Sequence, residues 1–158
     1  MISVIPNLCS FISAIAAGWL GDLMIRTRFS VRTTRLISMT VSFVFGGAFV
    51  VLAAYVRSRL LAVLMISLSF LFTGVQSAGC SPADLDLSPY YASAMYGVGN
   101  TVANVAGLLA PAVAGQFLGG KSTDATRADW QKVFYTTFAC YLAALALWRS
   151  CVTGTPLQ

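Results

Sequence analysis

Histidine and glutamate are missing altogether from these 158 residues, and no Cys-x-x-Cys pair occurs. Without them, general acid and base chemistry loses its usual groups and no metal-ligand set can be assembled, so neither catalysis nor a cofactor is expected. Charge is scarce, at 9% of residues. All five acidic residues are aspartates: Asp22 at the end of an apolar stretch, and Asp84, Asp86, Asp124 and Asp129 in polar joints. No His/Asp pair, Ser/Lys pair or carboxylate dyad fits within an apolar stretch, which argues against a membrane-embedded enzyme. The net charge of +5 carries no nucleic-acid signature and no soluble basic face. Cys9, Cys80, Cys140 and Cys151 are isolated and read as small apolar packing residues. Cys151, beside the last apolar stretch, could also take an acyl chain.

What remains is oil-like. Apolar residues make up 58% of the chain and the mean hydropathy is +0.78, values foreign to soluble domains. Five apolar stretches lie near residues 2–25, 36–56, 60–79, 92–118 and 133–148. Each reaches or approaches the roughly 20 residues that an α-helix needs to cross a hydrocarbon layer about 30 Å thick. The expected fold is all-α, a multi-pass transmembrane bundle of five spans over residues 1–150, followed by a short cytoplasmic tail at 151–158. Basic residues keep to the joints: Arg26, Arg28, Arg32 and Arg35; Arg57 and Arg59; Lys121, Arg127 and Lys132; and Arg149. That confinement supports the segmentation, because a cation at mid-membrane costs roughly 3 kcal/mol on insertion scales. Summed over alternate joints the cations are equally divided, so orientation rests on the dense Arg26 to Arg35 run, placed inside. Hydrophobic sequence begins at Met1 with no cleavable signal pattern, and the odd number of spans points to further helices upstream.

The ends of the last two spans carry their own signals. Ser88 and Pro89 suit a helix start at the fourth. Trp130 and Trp148 bracket the fifth, 18 residues apart, which is about 27 Å of helix between two interfaces.

The polar residues inside the spans form lines. In the fourth, Gly99, Ala103, Gly107, Pro111, Gly115 and Gly119 recur every fourth residue and offer a close-packing stripe, with Pro111 as a bend. Beside it, Tyr96, Asn100 and Asn104 form a second line of hydrogen-bonding groups that lipid cannot satisfy. Ser69, Thr73 and Gln76 line the third span, and Asn7, Ser10, Ala14, Ala17 and Gly21 the first. Such seams serve either helix contact or a wet solute pathway.

Several patches resemble one family, the anion:cation symporters of the major facilitator superfamily. Ile5-Pro6-Asn7-Leu8 followed by Ala17-Gly18-Trp19-Leu20-Gly21-Asp22-Leu23 and Arg26 resembles its eighth span and the Gly-x-Leu-Ala-Asp-x-Leu-Arg loop after it. Leu85-Asp86-Leu87-Ser88-Pro89-Tyr90-Tyr91-Ala92-Ser93 resembles the signature before its eleventh span. Gly97, Asn100, Gly107, Pro111 and Gly115 keep the family spacing, and Asp129-Trp130-Gln131-x-Val133-Phe134 resembles the start of its twelfth. Two departures stand out: Ala83-Asp84 where an Asn/His pair is usual, and Gly21 where Ala is usual.

The resemblance implies the eighth to twelfth spans of a twelve-span carrier of organic or inorganic anions, coupled to Na⁺ or H⁺, in a plasma or endolysosomal or vesicle membrane. In such a carrier the polar line of Tyr96, Asn100 and Asn104 would be the substrate-path candidates and Gly107, Pro111 and Gly115 the packing and hinge positions, while the resemblance implies Gly18, Asp22 and Arg26 as a gating motif. The implied partners are the bilayer, a small anionic solute and N-terminal spans of the same transporter. The alternative is a noncatalytic truncated membrane polypeptide, or an assembly subunit pairing through the fourth-span stripe.

Overall fold

A computed structural model of the chain describes residues 4–80, 90–118 and 126–152. These residues form five α-helices and no strand: α1 Val4–Thr27, α2 Val31–Tyr55, α3 Arg59–Gly74, α4 Ala92–Phe117 and α5 Arg127–Cys151. A 3₁₀ turn, Val75–Ala78, extends α3. With it, α3 runs for 20 residues, and α1, α2, α3 and α4 are each long and apolar enough to cross a membrane. The fifth helix has the length, but its Arg127, Asp129 and Lys132 make its first turns more polar than those of the other four. The Ser88 and Pro89 start signal, Gly119 and Lys121 lie outside the described residues.

Helix boundaries move the basic residues. The second helix starts at Val31 rather than near Leu36, capped by Ser30, whose Oγ accepts from the Thr33 amide at 3.2 Å. Arg32 and Arg35 therefore belong to a helix and not to a joint. The Gly18 to Arg26 segment is likewise helical to its end, instead of a loop. At α5, the Asp129 carboxylate reaches back to Thr126, accepting from its amide at 3.2 Å and its hydroxyl at 2.7 Å, while Lys132 Nζ pairs with it at 2.9 Å.

Packing is centred on α3, which lies between α1 and α2, while α2 turns its other side to α5. Serines stitch these helices together. Ser13 donates to the Leu71 carbonyl at 2.5 Å, Ser77 to Ala14 at 3.1 Å and Ser69 to Gly46 at 2.7 Å. Each such carbonyl has a second lone pair, so the bond costs the accepting helix nothing. Glycine makes the approach possible. A Cβ on Gly74 would stand 2.5 Å from the Ser10 carbonyl oxygen, and one on Gly47 would strike the ring of Phe138. Tyr141 adds to the α2–α5 seam by packing its ring, tilted by 35°, against that of Phe43 with centres 5.5 Å apart, and Arg32 and Arg127 close it at its two ends. Arg32 Nε donates to the Val152 carbonyl and Arg127 Nε to the Ala54 carbonyl, both at 3.0 Å.

The fourth helix stands apart. It touches α5 only sparsely, and Ala92 is its one buried residue. No atom lies within 4 Å of where a Cβ would sit on Gly97, Gly99, Gly107 or Gly115, so the small stripe is uncovered by the described residues. The close approaches are made instead by Gly46, Gly47, Gly74 and Gly79. The helix runs through Pro111 to Phe117 without a break in assignment, although Pro111 has no N–H for the Gly107 carbonyl.

Replacing Gly74 by Ala is expected to lower stability in detergent by about 1–3 kcal/mol, since a backbone oxygen cannot step aside. Gly107→Ala should be neutral or stabilising by up to about 1 kcal/mol, through helix propensity alone. Equilibrium unfolding in mixed micelles, followed by circular dichroism, checks the contrast. A second expectation concerns pH. Hydrogen bonds from Thr126, then from Lys132, hold the Asp129 carboxyl at about 2, below its ordinary value of 3.8. Its depressed value means that the cap is fully present above about pH 4 and fades as the pH falls towards 2. Exchange of the Thr126 amide should therefore be flat from neutral pH to 4, after correction for intrinsic rates, and accelerate below; Asp129→Asn should remove that step.

Candidate functional site

Between α1, the end of α3 and the first half of α4 lies a cleft of about 470 Å³. Ser10 and Ala14 come from α1, Thr73, Gly74, Gln76, Ser77 and Cys80 from α3 and the turn beyond it, and Met95, Tyr96, Gly99, Asn100 and Ala103 from α4. Spacings of one, three and four on α4 put those five residues on one helical face. The cleft sits near the middle of α1 and opens beside the exposed face of α4.

Its polar groups fall into two kinds. Ser77 is already engaged with α1 through the Ala14 carbonyl. The Thr73 hydroxyl folds back on the Phe70 carbonyl at 3.0 Å. By contrast, the side chains of Gln76, Tyr96 and Asn100 have no hydrogen-bond partner among the described residues, and all three are exposed. Two amides and a phenol together present both donors and acceptors to whatever enters. Among the described residues, no charged side chain lines the cleft, and no group of three His, Cys, Asp or Glu side chains comes together.

The structure thus joins Tyr96 and Asn100 to Ser10, Thr73 and Gln76, three seams that lie far apart in sequence. Asn104 continues the same line on α4 but does not line the cleft; its Nδ2 donates back to the Asn100 carbonyl at 2.8 Å. Ser69 leaves the third-span seam, buried against α2. Gly107 lines a second, mostly apolar groove of about 810 Å³ between α4 and α5, which Cys140 and Tyr141 also face. Pro111 and Gly115 line neither space. At the far end of α1, Asp22 and Arg26 are exposed and make no ion pair with described residues. Gly21 is buried, and its Cβ position is 3.3 Å from the Ala78 side chain and 3.9 Å from that of Thr34.

The chain is 29% identical over 154 residues to sodium-dependent phosphate transport protein 1, chloroplastic, of Arabidopsis thaliana; the match covers 98% of this chain and 29% of that protein. Human sialin is 31% identical over 140 residues, covering 87% of this chain and 28% of sialin. This chain belongs to the anion:cation symporter family of the major facilitator superfamily. Vesicular glutamate transporter 2.1 of Danio rerio is a further relative, 30% identical over 135 residues, which are 85% of this chain and 22% of that protein. No family model matches. The chain spans less than a third of the length of these relatives.

Of the family-like patches, Gly18 to Arg26 and Asp129 to Phe134 fall on α1 and α5, while the Leu85 to Pro89 portion lies outside the described residues. Sequence reading passed over Ser77 and Cys80 as cleft residues. Ser77 lies four residues past Thr73, so an unbroken helical count would have found it, but Cys80 is carried into the cleft by the 3₁₀ turn, which the pattern does not announce.

Cys80 faces the polar cleft and Cys140 the apolar groove. A membrane-impermeant, hydrophilic thiol reagent should therefore label Cys80 at least tenfold faster than Cys140 in a bilayer, with a lipophilic maleimide narrowing the ratio. Peptide mass mapping checks both.

Proposed function

We propose that the chain forms the second-bundle wall of a secondary active anion transporter, its five helices corresponding to the eighth to twelfth spans of a twelve-span carrier. The observation that carries this reading is the cleft between α1, the end of α3 and α4, whose described lining is uncharged and on whose wall the side chains of Gln76, Tyr96 and Asn100 have no partner among the described residues. In hydrocarbon such groups are costly unless water or a solute meets them. Uncharged dipoles suit the role: they order an anion's oxygens without holding it so tightly that release stalls. The compensating positive charge, and the group that couples movement to Na⁺ or H⁺, would come from companion spans of the same transporter. The solute class is that suggested by the relatives, phosphate-like or carboxylate anions, and the proposed setting is a plasma, endolysosomal or vesicle membrane. Transport, rather than bond-making chemistry, is what such a wall supports.

A second reading is favoured by the uncovered stripe of α4: a polypeptide that does not transport alone and associates through that face. Proteoliposomes separate the two. The chain would be reconstituted alone and joined in frame behind the seven preceding spans of human sialin, with labelled phosphate, glutamate or sialic acid outside and a Na⁺ or pH gradient imposed. Uptake is expected from the joined protein and not from the chain alone. Gln76→Ala together with Asn100→Ala should lower uptake at least tenfold with the protein still folded. Unchanged uptake in that double variant would remove the cleft from the pathway, and a defined oligomer of the lone chain with uptake of its own would overturn the shared-wall reading.

A further inference from the structure

Arg35 is the residue whose surroundings differ most from what a basic joint would give it. It is 6% exposed, one turn inside α2, and its Nη1 donates to the Ala78 carbonyl at 2.5 Å. That carbonyl belongs to the last residue of the 3₁₀ turn, where helical geometry leaves oxygens without an amide donor and the helix dipole favours a cation. A guanidinium there makes a charge-assisted bond, about twice as strong as a neutral one. The next residue is held too. A Cβ on Gly79 would meet Met39 Cγ at 2.7 Å and the Arg35 carbonyl oxygen at 3.2 Å, so the chain leaves the turn lying directly on α2.

The turn so held carries Gln76, Ser77 and Cys80 into the cleft. A 3₁₀ turn has three residues per revolution where the α-helix has 3.6, so loosening it back towards α-helix would rotate these side chains along the wall. Resting on the transport reading above, we propose that Arg35 is a positioning residue for the solute path: by gripping the Ala78 carbonyl it fixes the 3₁₀ turn and thereby aims Gln76 into the cleft. Arg35 touches no solute itself; it acts through the turn.

The test uses wild type, Arg35→Lys and Arg35→Met, each as the full chain in nanodiscs and joined to companion spans for uptake. Lysine keeps the charge but loses the planar fork, and it is the variant that decides if methionine at this buried position prevents folding. The amides of Gly79 and Cys80, which donate to the Gln76 carbonyl at 2.9 and 2.8 Å, report on the turn by hydrogen exchange. Cys80 alkylation by a hydrophilic maleimide reports on what faces the cleft, with Cys140 as the control for an intact bundle. In Arg35→Lys, both amides should exchange at least fivefold faster and Cys80 labelling should change at least threefold, while Cys140 labelling stays within twofold. In the joined protein, KM should rise at least fivefold with a smaller change in turnover. Wild-type exchange and labelling in Arg35→Lys would overturn the proposal, as would a disturbed turn with an unchanged KM. Disturbed exchange and labelling, with uptake absent from wild type as well, would support Arg35's hold on the turn and count against the transport reading instead.

Discussion

In hydrocarbon no water is at hand to complete a hydrogen bond, so each hydroxyl or amide on a spanning helix must find a partner in protein or face a wet space. That constraint organises this molecule. Ser13, Ser69 and Ser77 answer it by donating across helix seams to backbone carbonyls, and such bonds form only where glycine or serine lets two backbones approach. Each is worth roughly 0.6 kcal/mol by membrane double-mutant measurements, so their value lies as much in fixing which helix faces which as in strength. The Thr34 hydroxyl and the Trp148 indole nitrogen are buried without a partner among the described residues and stand against the rule.

The same constraint separates scaffold from site. Along the α1–α3, α2–α3 and α2–α5 seams, serine hydroxyls are spent on carbonyls of the neighbouring helix and Gly46, Gly47, Gly74 and Gly79 lie against neighbouring atoms. Along α4 the reverse holds: among the described residues, nothing packs on its glycines and the Tyr96 and Asn100 side chains have no hydrogen-bond partner. A membrane helix so little covered invites a neighbour, and the relatives, each more than three times as long as the matched region, leave room for one. The cleft beside α4 is polar, with no charged side chain among the described residues that line it.

Much of the fold could be read from the residues because one physical signal dominates it. Runs of about 20 apolar residues fix helices when the solvent is oil, and the family resemblance of the Gly18 to Arg26 and Asp129 to Phe134 patches agrees with relatives spread over nearly the whole chain. The site was legible in pieces: Tyr96, Asn100, Ser10, Thr73 and Gln76 each stood out as polar positions on an apolar helix. Their assembly was not, since periodicity tells which residues share a face and says nothing about what that face meets. Thus Ser69 and Gln76, on one seam by spacing, part company, one against α2 and the other towards the cleft.

By itself, then, the sequence determined the solvent, the helical class, the approximate spans and the kinship with anion carriers, since all of these depend on local composition or on ordered short motifs. Only the tertiary structure decided that Arg35 is buried and grips a helix end, that Gly74 rather than Gly107 is the tight crossing, and that a 3₁₀ turn brings Gln76 and Cys80 to the cleft. Those outcomes depend on distances between helices, which are set by the shapes of whole packed faces and are invisible to any pattern along a single strand of text.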